Sequence, residues 1–558
     1  MARQFVGVPS AYPKLLEIRK STTADFKNNR FLKETTKLRY YQVVGALHLM
    51  LLNRMVLGDE TGLGKTAEGI ATYTFLLEKN PDLKLIVICP KSATFQWQEE
   101  FEKFTQGIST RVITLKYGKL EGFPARKKQY EEFTENVLIM NYAPVVKEYE
   151  MIRQILEPHY MMIADECVAF KNYKTQTHIA CKALADGAER AYGFSATIIK
   201  NGLEEVWGIY NVIVPGLFGR ITHFRTAYCK QKLIKLRIKG KDRKIPKTIG
   251  YKNLVQFKKV LDPYFLIRRK TEVATELPKL ISKKIVLEMD TQQKDLYREA
   301  LSGILYEDRL RNEYFEICDE IRNGAVGDKI EKRHSELKEK YEKYLSPEGK
   351  QRGKLAALTY CQMVSNGPGL LNEPGTSSKE EEFIRLMKDE LLDEKTIVFT
   401  RFKKGLPFLE IRCERCGINY VKITGDEDDQ QRKSARLRFQ EDPNCKIIFI
   451  TTAGSSSLNL QAASVVLFYD TPWSYGDLVQ TIGRAQRIGS IREHILLIHL
   501  INRGTIDVRV INKVTDKKDL SDQIIGDTAE GALDFVQTDD RVVEALYQEL
   551  LEDAEKVA

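Results

Sequence analysis

Long uninterrupted hydrophobic runs are missing from this sequence of 558 residues. A membrane-spanning helix needs about 18–20 consecutive apolar residues, and the longest candidate, residues 43–52, contains His48 and is followed by two polar residues. Cysteine is scarce, with 9 in the chain, and we see no secretory signal at the start. These features exclude membrane-spanning and disulfide-rich secreted classes, and we expect reduced thiols in a cytosol-like compartment.

Positive and negative charges are nearly balanced. The chain has 87 Lys and Arg residues and 77 Asp and Glu residues, which gives a net charge of +10. Most of that excess lies in residues 230–247, which hold nine basic residues against the single acid Asp242. Such a segment suits contacts to phosphates, although a surface loop without a partner fits the charge equally well. The basic residues are Lys230, Lys232, Lys235, Arg237, Lys239, Lys241, Arg243, Lys244 and Lys247.

Short β-branched runs alternate with helical patterns in both halves of the chain. Near-continuous apolar strands of this kind are typical of parallel sheets covered on both faces. We therefore predict an α/β fold with two doubly wound lobes, separated by a charged helical stretch over residues 291–365. The predicted strands lie at 55–57, 85–89, 137–140, 160–164 and 191–194, and at 396–400, 420–424, 446–451, 465–469 and 495–499.

The strongest local motif is GDETGLGKT at residues 58–66, which follows a predicted strand and opens a helical stretch. Gly62 and Gly64 allow the backbone to bend around phosphates, and a helix N-terminus offers free N–H groups. Lys65 is expected to reach the β- and γ-phosphates, and the Thr66 hydroxyl to ligate Mg²⁺. Asp59 stands where the strict phosphate-loop pattern has Gly, so the match is to the helicase variant. The loop residues expected to bind ATP are Asp59, Glu60, Thr61, Gly62, Leu63, Gly64, Lys65 and Thr66.

Two further elements complete a site for phosphoryl transfer. Asp165 and Glu166 end an apolar strand, at the sheet edge where α/β folds bind ligands. We expect Asp165 to hold Mg²⁺ and Glu166 to orient or deprotonate the attacking water. The transition state also needs a cation, and Arg484 and Arg487 lie three residues apart in a helical pattern that puts them on one face. A pair of surface arginines is the alternative reading of these two residues alone.

Together these motifs resemble the SNF2 family of superfamily 2 helicase-like DNA translocases, over about residues 38–527. The sequence LIRRKT at 266–271, followed by LPK at 277–279, is among the most specific of the resembling segments. The resemblance implies an α/β fold of two RecA-like P-loop lobes with parallel sheets and helical insertions between them. The other matching segments are LRYYQ at 38–42, ICPK at 88–91, SAT at 195–197, TTAG at 451–454 and RAQRIG at 484–489.

The resemblance also implies roles for individual residues. Gln42 would contact the base of ATP, while Lys65, Glu166, Arg484 and Arg487 would be catalytic and Mg²⁺ would be the metal. The residues that would couple the ATP site to nucleic acid are Ser195, Ala196, Thr197 and Gln480. The residues that would lie along the DNA are Lys91, Arg401, Thr452 and Trp473, joined on charge grounds by the basic residues of 230–247.

Four positions depart from the family pattern. The chain has Val168 where the family usually has His, and Gln486 replaces the usual His between the two arginines. Ser455 and Ser456 replace a glycine pair. These changes affect the expected coupling between the lobes more than the hydrolytic residues, all of which are present.

The sequence predicts five regions. Residues 1–36 are an N-terminal extension, and 37–280 form the first, ATP-binding lobe with a basic helical insertion at about 220–262. Residues 281–375 form a helical protrusion or linker, and 376–510 the second lobe. Residues 511–558 form a bracing segment, including residues 517–520, and an acidic C-terminal helix.

The expected function is that of a DNA-dependent ATPase that moves along double-stranded DNA and remodels DNA or a DNA-bound protein. We expect a monomer without a membrane partner, in a bacterial or phage-host cytosol, or in the nucleus of a eukaryote. Two alternatives stay open: a strand-separating or annealing helicase acting at forks or hybrids, and a DNA- or protein-binding scaffold that does not hydrolyse ATP.

Overall fold

The computed structural model describes residues 8–20, 29–196, 198–199, 202–238, 241–273, 277–322, 327–344, 347–452, 458–473, 475–487, 490 and 492–512. These residues form two α/β lobes, each built on one parallel sheet, which confirms the predicted fold class. Within the described part of the chain, every helix is too short or too polar to cross a lipid bilayer.

The first lobe contains a seven-stranded parallel sheet in the order β11-β1-β8-β7-β2-β6-β3. Alternate residues of β2 enter different cores, with Ile86 and Ile88 on one face and Leu85 and Val87 on the other. Helices cover both faces, which explains why the strand is apolar at every position. The strands are β1 (Arg54–Leu57), β2 (Lys84–Cys89), β3 (Thr110–Val112), β4 (Lys116–Tyr117), β5 (Leu120–Glu121), β6 (Val137–Asn141), β7 (Tyr160–Asp165), β8 (Arg190–Phe194), β9 (Cys229–Ile238), β10 (Lys241–Tyr251) and β11 (Phe265–Leu266).

The second lobe contains a six-stranded parallel sheet in the order β12-β17-β16-β13-β15-β14. All ten predicted strands are confirmed within these two sheets. The sheet of this lobe also includes β12, which lies ahead of the predicted start at 376 and pairs along its whole length with β17. The strands are β12 (Lys279–Leu287), β13 (Thr396–Phe399), β14 (Asn419–Ile423), β15 (Cys445–Ile450), β16 (Val465–Phe468) and β17 (His494–Asn502).

Helices connect the strands and form the charged stretch, which lies between β12 and β13 of the second lobe. The stretch predicted as helical over 291–365 folds as α12 to α15. The helices are α1 (Tyr12–Lys20), α2 (Tyr40–Leu51), α3 (Lys65–Lys79), α4 (Thr94–Phe104), α5 (Gly122–Glu131), α6 (Tyr142–Leu156), α7 (Gln176–Gly187), α8 (Glu204–Ile213), α9 (Ile221–Tyr228), α10 (Leu254–Leu261), α11 (Lys270–Val273), α12 (Thr291–Ser302), α13 (Ile304–Arg322), α14 (Asp328–Tyr344), α15 (Pro347–Asn366), α16 (Ser378–Lys388), α17 (Leu406–Arg415), α18 (Asp429–Glu441) and α19 (Tyr475–Ala485).

The basic insertion is a two-stranded ribbon and not the helical segment that the sequence analysis predicted. Strands β9 and β10 pair in antiparallel fashion between the short helices α9 and α10. An aromatic cluster anchors the base of this ribbon, where the rings of Phe218 and Phe257 stack with centroids 5.3 Å apart and Tyr228 packs on Phe257 at 5.4 Å.

The predicted outer segments are only partly described. Helix α1 packs on the first lobe, where Leu15 is buried and Arg19 forms an ion pair with Asp262 at 3.0 Å. The predicted bracing segment at 517–520 and the acidic C-terminal helix lie outside the described residues.

Candidate nucleotide site and nucleic-acid path

The phosphate-loop sequence forms the turn between β1 and α3. Residues 58–64 leave the end of the strand, and α3 begins at Lys65 directly after them. Gly62 and Gly64 have φ angles of 89° and 92°, in a left-handed region that glycine adopts without a steric penalty. The first N–H groups of a helix have no partner within it, so the first turn of α3, which contains Thr66, suits phosphate oxygens.

Polar groups of this loop form hydrogen bonds with other groups of the protein. Lys65 Nζ donates hydrogen bonds to the main-chain carbonyls of Asp59 and Glu60. Gln42, which the resemblance assigns to the base of ATP, donates from Nε2 to the carbonyl of Leu63 at 2.9 Å. The amide of Gln42 therefore ties α2 to the phosphate loop in this structure.

Asp59 does not face the cleft with its carboxylate. It pairs with the guanidinium of Arg268, which lies just after β11 and also bonds both carboxylate oxygens of Glu68 at 2.9 Å. Arg268 donates a further bond to the carbonyl of Tyr41 on α2. Asp59 and Glu68 are fully buried and Arg268 nearly so. This buried ion cluster joins α2, the phosphate loop, α3 and the segment after β11.

The ion cluster contains two carboxylates and one guanidinium. Burial raises the pKa of Glu68 well above its ordinary value, with Arg268 opposing the shift and Asp59 adding to it. Burial alone would lower the pKa of Arg268, but Asp59 and Glu68 raise it above its ordinary value. Arg268 is therefore the charge that makes the buried Asp59 tolerable at a position where the strict phosphate loop has Gly.

Replacement of Arg268 by methionine should destabilise the protein by about 3–5 kcal/mol, because it leaves two carboxylates buried without a cation. Glu68→Gln should change stability by less than about 1 kcal/mol, since one carboxylate is enough to balance the guanidinium. Urea unfolding of the two variants measures both effects. Equal losses for Arg268→Met and Glu68→Gln would contradict this account of the cluster.

The acidic pair lies where β7 ends. Asp165 Oδ2 accepts a hydrogen bond from Trp97 Nε1 at 3.0 Å, and the Asp165 carbonyl accepts one from the Tyr142 hydroxyl at 2.7 Å. Burial raises the pKa of Asp165 to about 6, the neighbouring Glu166 adds to the shift, and the bond from Trp97 opposes it. Trp97, on α4, thus orients this carboxylate, which the sequence analysis did not predict.

Glu166 receives contacts from both lobes. Its backbone has φ 52° and ψ 53°, a left-handed conformation that is uncommon for non-glycine residues. Ser195 Oγ, after β8, donates to Glu166 Oε2 at 3.2 Å, and Gln480 Nε2, on α19 of the second lobe, donates to Oε1 at 3.4 Å. Two of the predicted coupling residues thus meet on one carboxylate. Ala196 follows Ser195, and Thr197 lies outside the described residues.

The two arginines of the second lobe lie beside the first lobe, with Arg484 buried and Arg487 half-buried. Burial lowers the pKa of Arg484 to about 9, with Arg487 lowering it further and Glu166 and Asp165 opposing the shift. Burial also lowers the pKa of Arg487, against the opposing charges of Glu100 and Asp165. Within the described residues, no acceptor pairs with the buried Nε of Arg484. Two cations that repel each other, one buried and one half-buried, favour an anion between them.

Glycines allow the lobes to approach closely at this point. A Cβ atom on Gly62 would lie 3.1 Å from the carbonyl oxygen of Gln486 and 3.2 Å from Cγ of Arg487. A Cβ atom on Gly483 of α19 would overlap the side chain of Thr61. An arrangement with both arginines turned away from the phosphate loop would have excluded a shared site, and the structure places Arg487 against that loop.

The positions that depart from the family pattern have their own contacts. Gln486 donates from Nε2 to the carbonyl of Pro278 at 2.8 Å and accepts a bond from Lys270 at its Oε1. Val168 packs partly buried against the core of the first lobe. Ser455 and Ser456 lie outside the described residues.

The expected metal ligands fit a magnesium ion that shares its shell with phosphates. Asp165 supplies a carboxylate beside the phosphate loop, with Lys65 among the charges that act on it, and Thr66 supplies a hydroxyl from the first turn of α3. Mg²⁺ in nucleotide sites takes only one or two protein ligands and fills its shell with phosphate oxygens and water. Accordingly, the site needs no cluster of three His, Cys, Asp or Glu residues, and the described residues contain none.

The expected nucleic-acid contacts fall in two places. Arg401, just after β13, lies with its guanidinium 5.3 Å from the ring centroid of Trp473. Both side chains bond Oε1 of Gln362 on α15, a residue that the sequence analysis did not identify. Lys91 and Thr452 are exposed just beyond β2 and β15.

The basic ribbon carries the remaining expected contacts. Lys230 and Lys232 are exposed on β9. The other basic side chains lie outside the described ones, namely those of Lys235, Arg237, Lys239, Lys241, Arg243, Lys244 and Lys247.

Comparisons with known proteins agree with the geometry of the two lobes. Residues 41–345 match the family model of the SNF2-related domain, and residues 378–489 match that of the helicase conserved C-terminal domain. The chain is similar to an uncharacterised ATP-dependent helicase of Mycoplasma pneumoniae, with 25% identity over 88% of this chain and 42% of that protein. It is also similar to the SWI/SNF chromatin-remodeling complex subunit snf22 of Schizosaccharomyces pombe, with 26% identity over 88% of this chain and 28% of that protein.

Among solved structures, the SWI2/SNF2 ATPase core of Sulfolobus solfataricus in complex with dsDNA covers 94% of this chain and 98% of its own, with 21% identity and a TM-score of 0.39. The chain spans about half or less of the length of the first curated relatives that it matches.

Proposed function

Since the chain belongs to the SNF2-related family, we propose that it is a DNA-dependent ATPase that translocates along double-stranded DNA. Its hydrolysis of ATP between the lobes would drive remodelling of DNA or of a protein–DNA complex. The observation that carries this proposal is the convergence of the phosphate loop, Glu166 and the arginines of the second lobe on one cleft. The relatives named above as a helicase and as a chromatin-remodeling subunit support the same class of activity.

Each part of the cleft has a task in hydrolysis. The phosphate loop holds the triphosphate, and Lys65 neutralises its β- and γ-phosphates. Glu166 orients the attacking water and accepts its proton. Arg484 and Arg487 stabilise the charge that develops on the transferred phosphoryl group. Thr66 and Asp165 would hold Mg²⁺, which when bound neutralises the phosphate oxygens.

Coupling to nucleic acid follows from the division of the site between two lobes. The arginines reach the triphosphate only when the lobes are closed, so closure gates hydrolysis. Ser195 and Gln480 hold Glu166 from opposite lobes, and Ala196 and Thr197 follow Ser195 in the same loop. A change in the separation of the lobes therefore changes the environment of the catalytic carboxylate.

The proposed DNA path combines Lys91 on the first lobe with Arg401, Thr452 and Trp473 on the second, and with the basic ribbon. Phosphate contacts dominate such a path, so binding should depend weakly on sequence and strongly on salt. A two-stranded ribbon also has the dimensions to lie in a DNA groove. The protein would act as a monomer, in whichever compartment holds its DNA.

ATP turnover measured with duplex DNA, single-stranded DNA, forked DNA and RNA tests the proposal. We expect duplex DNA to give the largest stimulation and the protein to displace a triplex-forming strand without unwinding the duplex. Unwinding without triplex displacement would favour a strand-separating helicase. A folded protein that turns over no ATP with any of these nucleic acids would favour a non-hydrolysing scaffold.

Neutralisation of the basic ribbon should flatten the salt dependence of DNA binding. Replacing Lys232, Lys235 and Lys244 by glutamine should reduce the slope of log K against log salt by up to about 2.7, at about 0.9 for each lost phosphate contact. Titration of labelled duplex DNA at several salt concentrations measures the slope.

The matched control for the ribbon replaces three exposed lysines of α14 by glutamine, namely Lys329, Lys332 and Lys338. This variant has the same net charge as the ribbon variant but should retain the wild-type slope. An unchanged slope in the ribbon variant would assign 230–247 to a surface loop without a nucleic-acid role.

A further inference from the structure

Lys270 connects the phosphate loop of the first lobe to the arginine segment of the second. It opens α11, and its backbone N–H donates to Oε2 of Glu60 at 2.8 Å. Its ammonium crosses to the second lobe and donates to the carbonyl of Gln486 at 3.1 Å and to Oε1 of the same residue at 3.0 Å. The residue is only 8% exposed. One buried side chain therefore spans the boundary between the lobes.

Gln486 returns the contact to the first lobe. Its Nε2 donates to the carbonyl of Pro278, and its own carbonyl, which Lys270 holds, lies over Gly62 of the phosphate loop. The next residue is Arg487, whose Cγ lies against the same glycine. Whatever fixes the main chain of Gln486 therefore also fixes the point from which the Arg487 side chain extends.

The charges around Lys270 are unfavourable for a purely structural lysine. Burial lowers its pKa to about 8, Glu60 opposes the shift, and the cations Arg487, Lys65 and Arg484 add to it. A buried ammonium among three other cations costs free energy that a neutral side chain would avoid. The acceptors of the Lys270 ammonium belong to the second lobe. This contact therefore forms only when the lobes are together.

We propose that Lys270 is a positioning residue for ATP hydrolysis, which locks Gln486 and hence Arg487 over the phosphate loop when the lobes close. The inference rests on the proposed function and adds to it a residue that acts on the arginine and not on the nucleotide. Lys270 accordingly contributes to the chemical step much more than to the binding of ATP. A displacement of about 1 Å at a reacting group can lower a rate about 100-fold, which sets the scale of its effect.

The first test is steady-state ATP turnover by Lys270→Met in the presence of duplex DNA. We expect kcat to fall about 10–100-fold, while KM for ATP changes less than about threefold, since the lost interaction serves the transition state. Lys270→Arg, which can donate to both oxygens of Gln486, should recover most of kcat. Lys270→Gln, which keeps a neutral donor, serves as a second variant whose retained ATP affinity reports a folded first lobe.

The matched control is Lys84→Met. Lys84 also donates from its ammonium to two main-chain carbonyls, those of Thr134 and Glu135, but at the opposite end of β2 from the site. This control should retain wild-type kcat. A loss of kcat in Lys84→Met as large as that in Lys270→Met would assign both effects to stability and overturn the inference.

The second test repeats Lys270→Met in the Arg487→Ala background. If Lys270 acts by positioning Arg487, the added change should lower kcat by less than about twofold, because coupled residues are not additive. An undiminished further loss would overturn the inference, as would an unchanged kcat in the single variant. Neither result touches the proposed function, which turnover and triplex displacement by the wild-type chain test separately.

Discussion

Lys65→Ala should abolish ATP turnover, with a loss of at least about 100-fold in kcat, while the protein stays folded. The ammonium of Lys65 is the cation of the phosphate loop itself, and it bonds only carbonyls of that loop among its described partners. Its removal therefore takes charge from the phosphates without opening the core. Turnover with duplex DNA measures the loss, and urea unfolding checks the fold.

The control for this variant is Lys79→Ala, at the other end of α3. Lys79 is exposed there, and its ammonium lies 4.7 Å from the ring centroid of Phe75. This substitution also removes a lysine ammonium from α3. At the rise of an α-helix, Lys79 lies about 20 Å along the helix from Lys65. We expect wild-type turnover from it. Retained turnover in Lys65→Ala would mean that the phosphate loop is misassigned.

Arg487→Ala should lower turnover far more than ATP binding. Arginines that complete a phosphoryl-transfer site from a second element contribute on the order of 10³-fold or more to kcat, since the charge they contact grows in the transition state. Arg487 lies with its Cγ against Gly62 of the phosphate loop, which suits a contact to a phosphoryl group held there. Single-turnover rates and equilibrium nucleotide binding separate the two quantities.

Arg492→Ala supplies the control for Arg487. Arg492 lies five positions further along the chain, is 42% exposed at its side chain and pairs with Glu394 on the surface of the second lobe. It should retain turnover. Equal losses of binding and turnover in Arg487→Ala would contradict a transition-state role.

The sequence predicted the central strands because both faces of each sheet are buried. In β15, for example, Ile447 and Phe449 enter one core and Ile448 and Ile450 the other, so hydrophobicity alone marks the strand. The strand that the sequence analysis missed in the second sheet is β12, whose residues are largely exposed at the edge. Lysines on an edge strand protect it from pairing with other chains, and they also conceal it in the sequence.

The ribbon was misread for a related reason. Residues 236–239 alternate apolar and basic side chains, which is the period of a strand, but the high density of Lys and Arg obscures this alternation. The hairpin that forms has no third strand behind it in the described part of the chain. The alternation of apolar and basic residues indicates the strand, whereas the amino-acid composition of the segment does not.

The candidate site was predictable where its chemistry is local. Lys65, Glu166 and the two arginines each lie in a short motif whose neighbours define the role. Arg268 was not predictable in this way, because its partner Asp59 is 209 residues away in the sequence. Neither was Lys270, since only the tertiary structure reveals that its acceptors lie on the other lobe.

The crossing from one lobe to the other is very short. The chain leaves α11 at Val273 and enters β12 at Lys279, so even a fully extended backbone between those residues reaches only about 20 Å. Pro278, which accepts the amide of Gln486, lies at the very end of that crossing. In the proposed cycle of closing and opening, the length of this peptide would limit how far the lobes separate at this point.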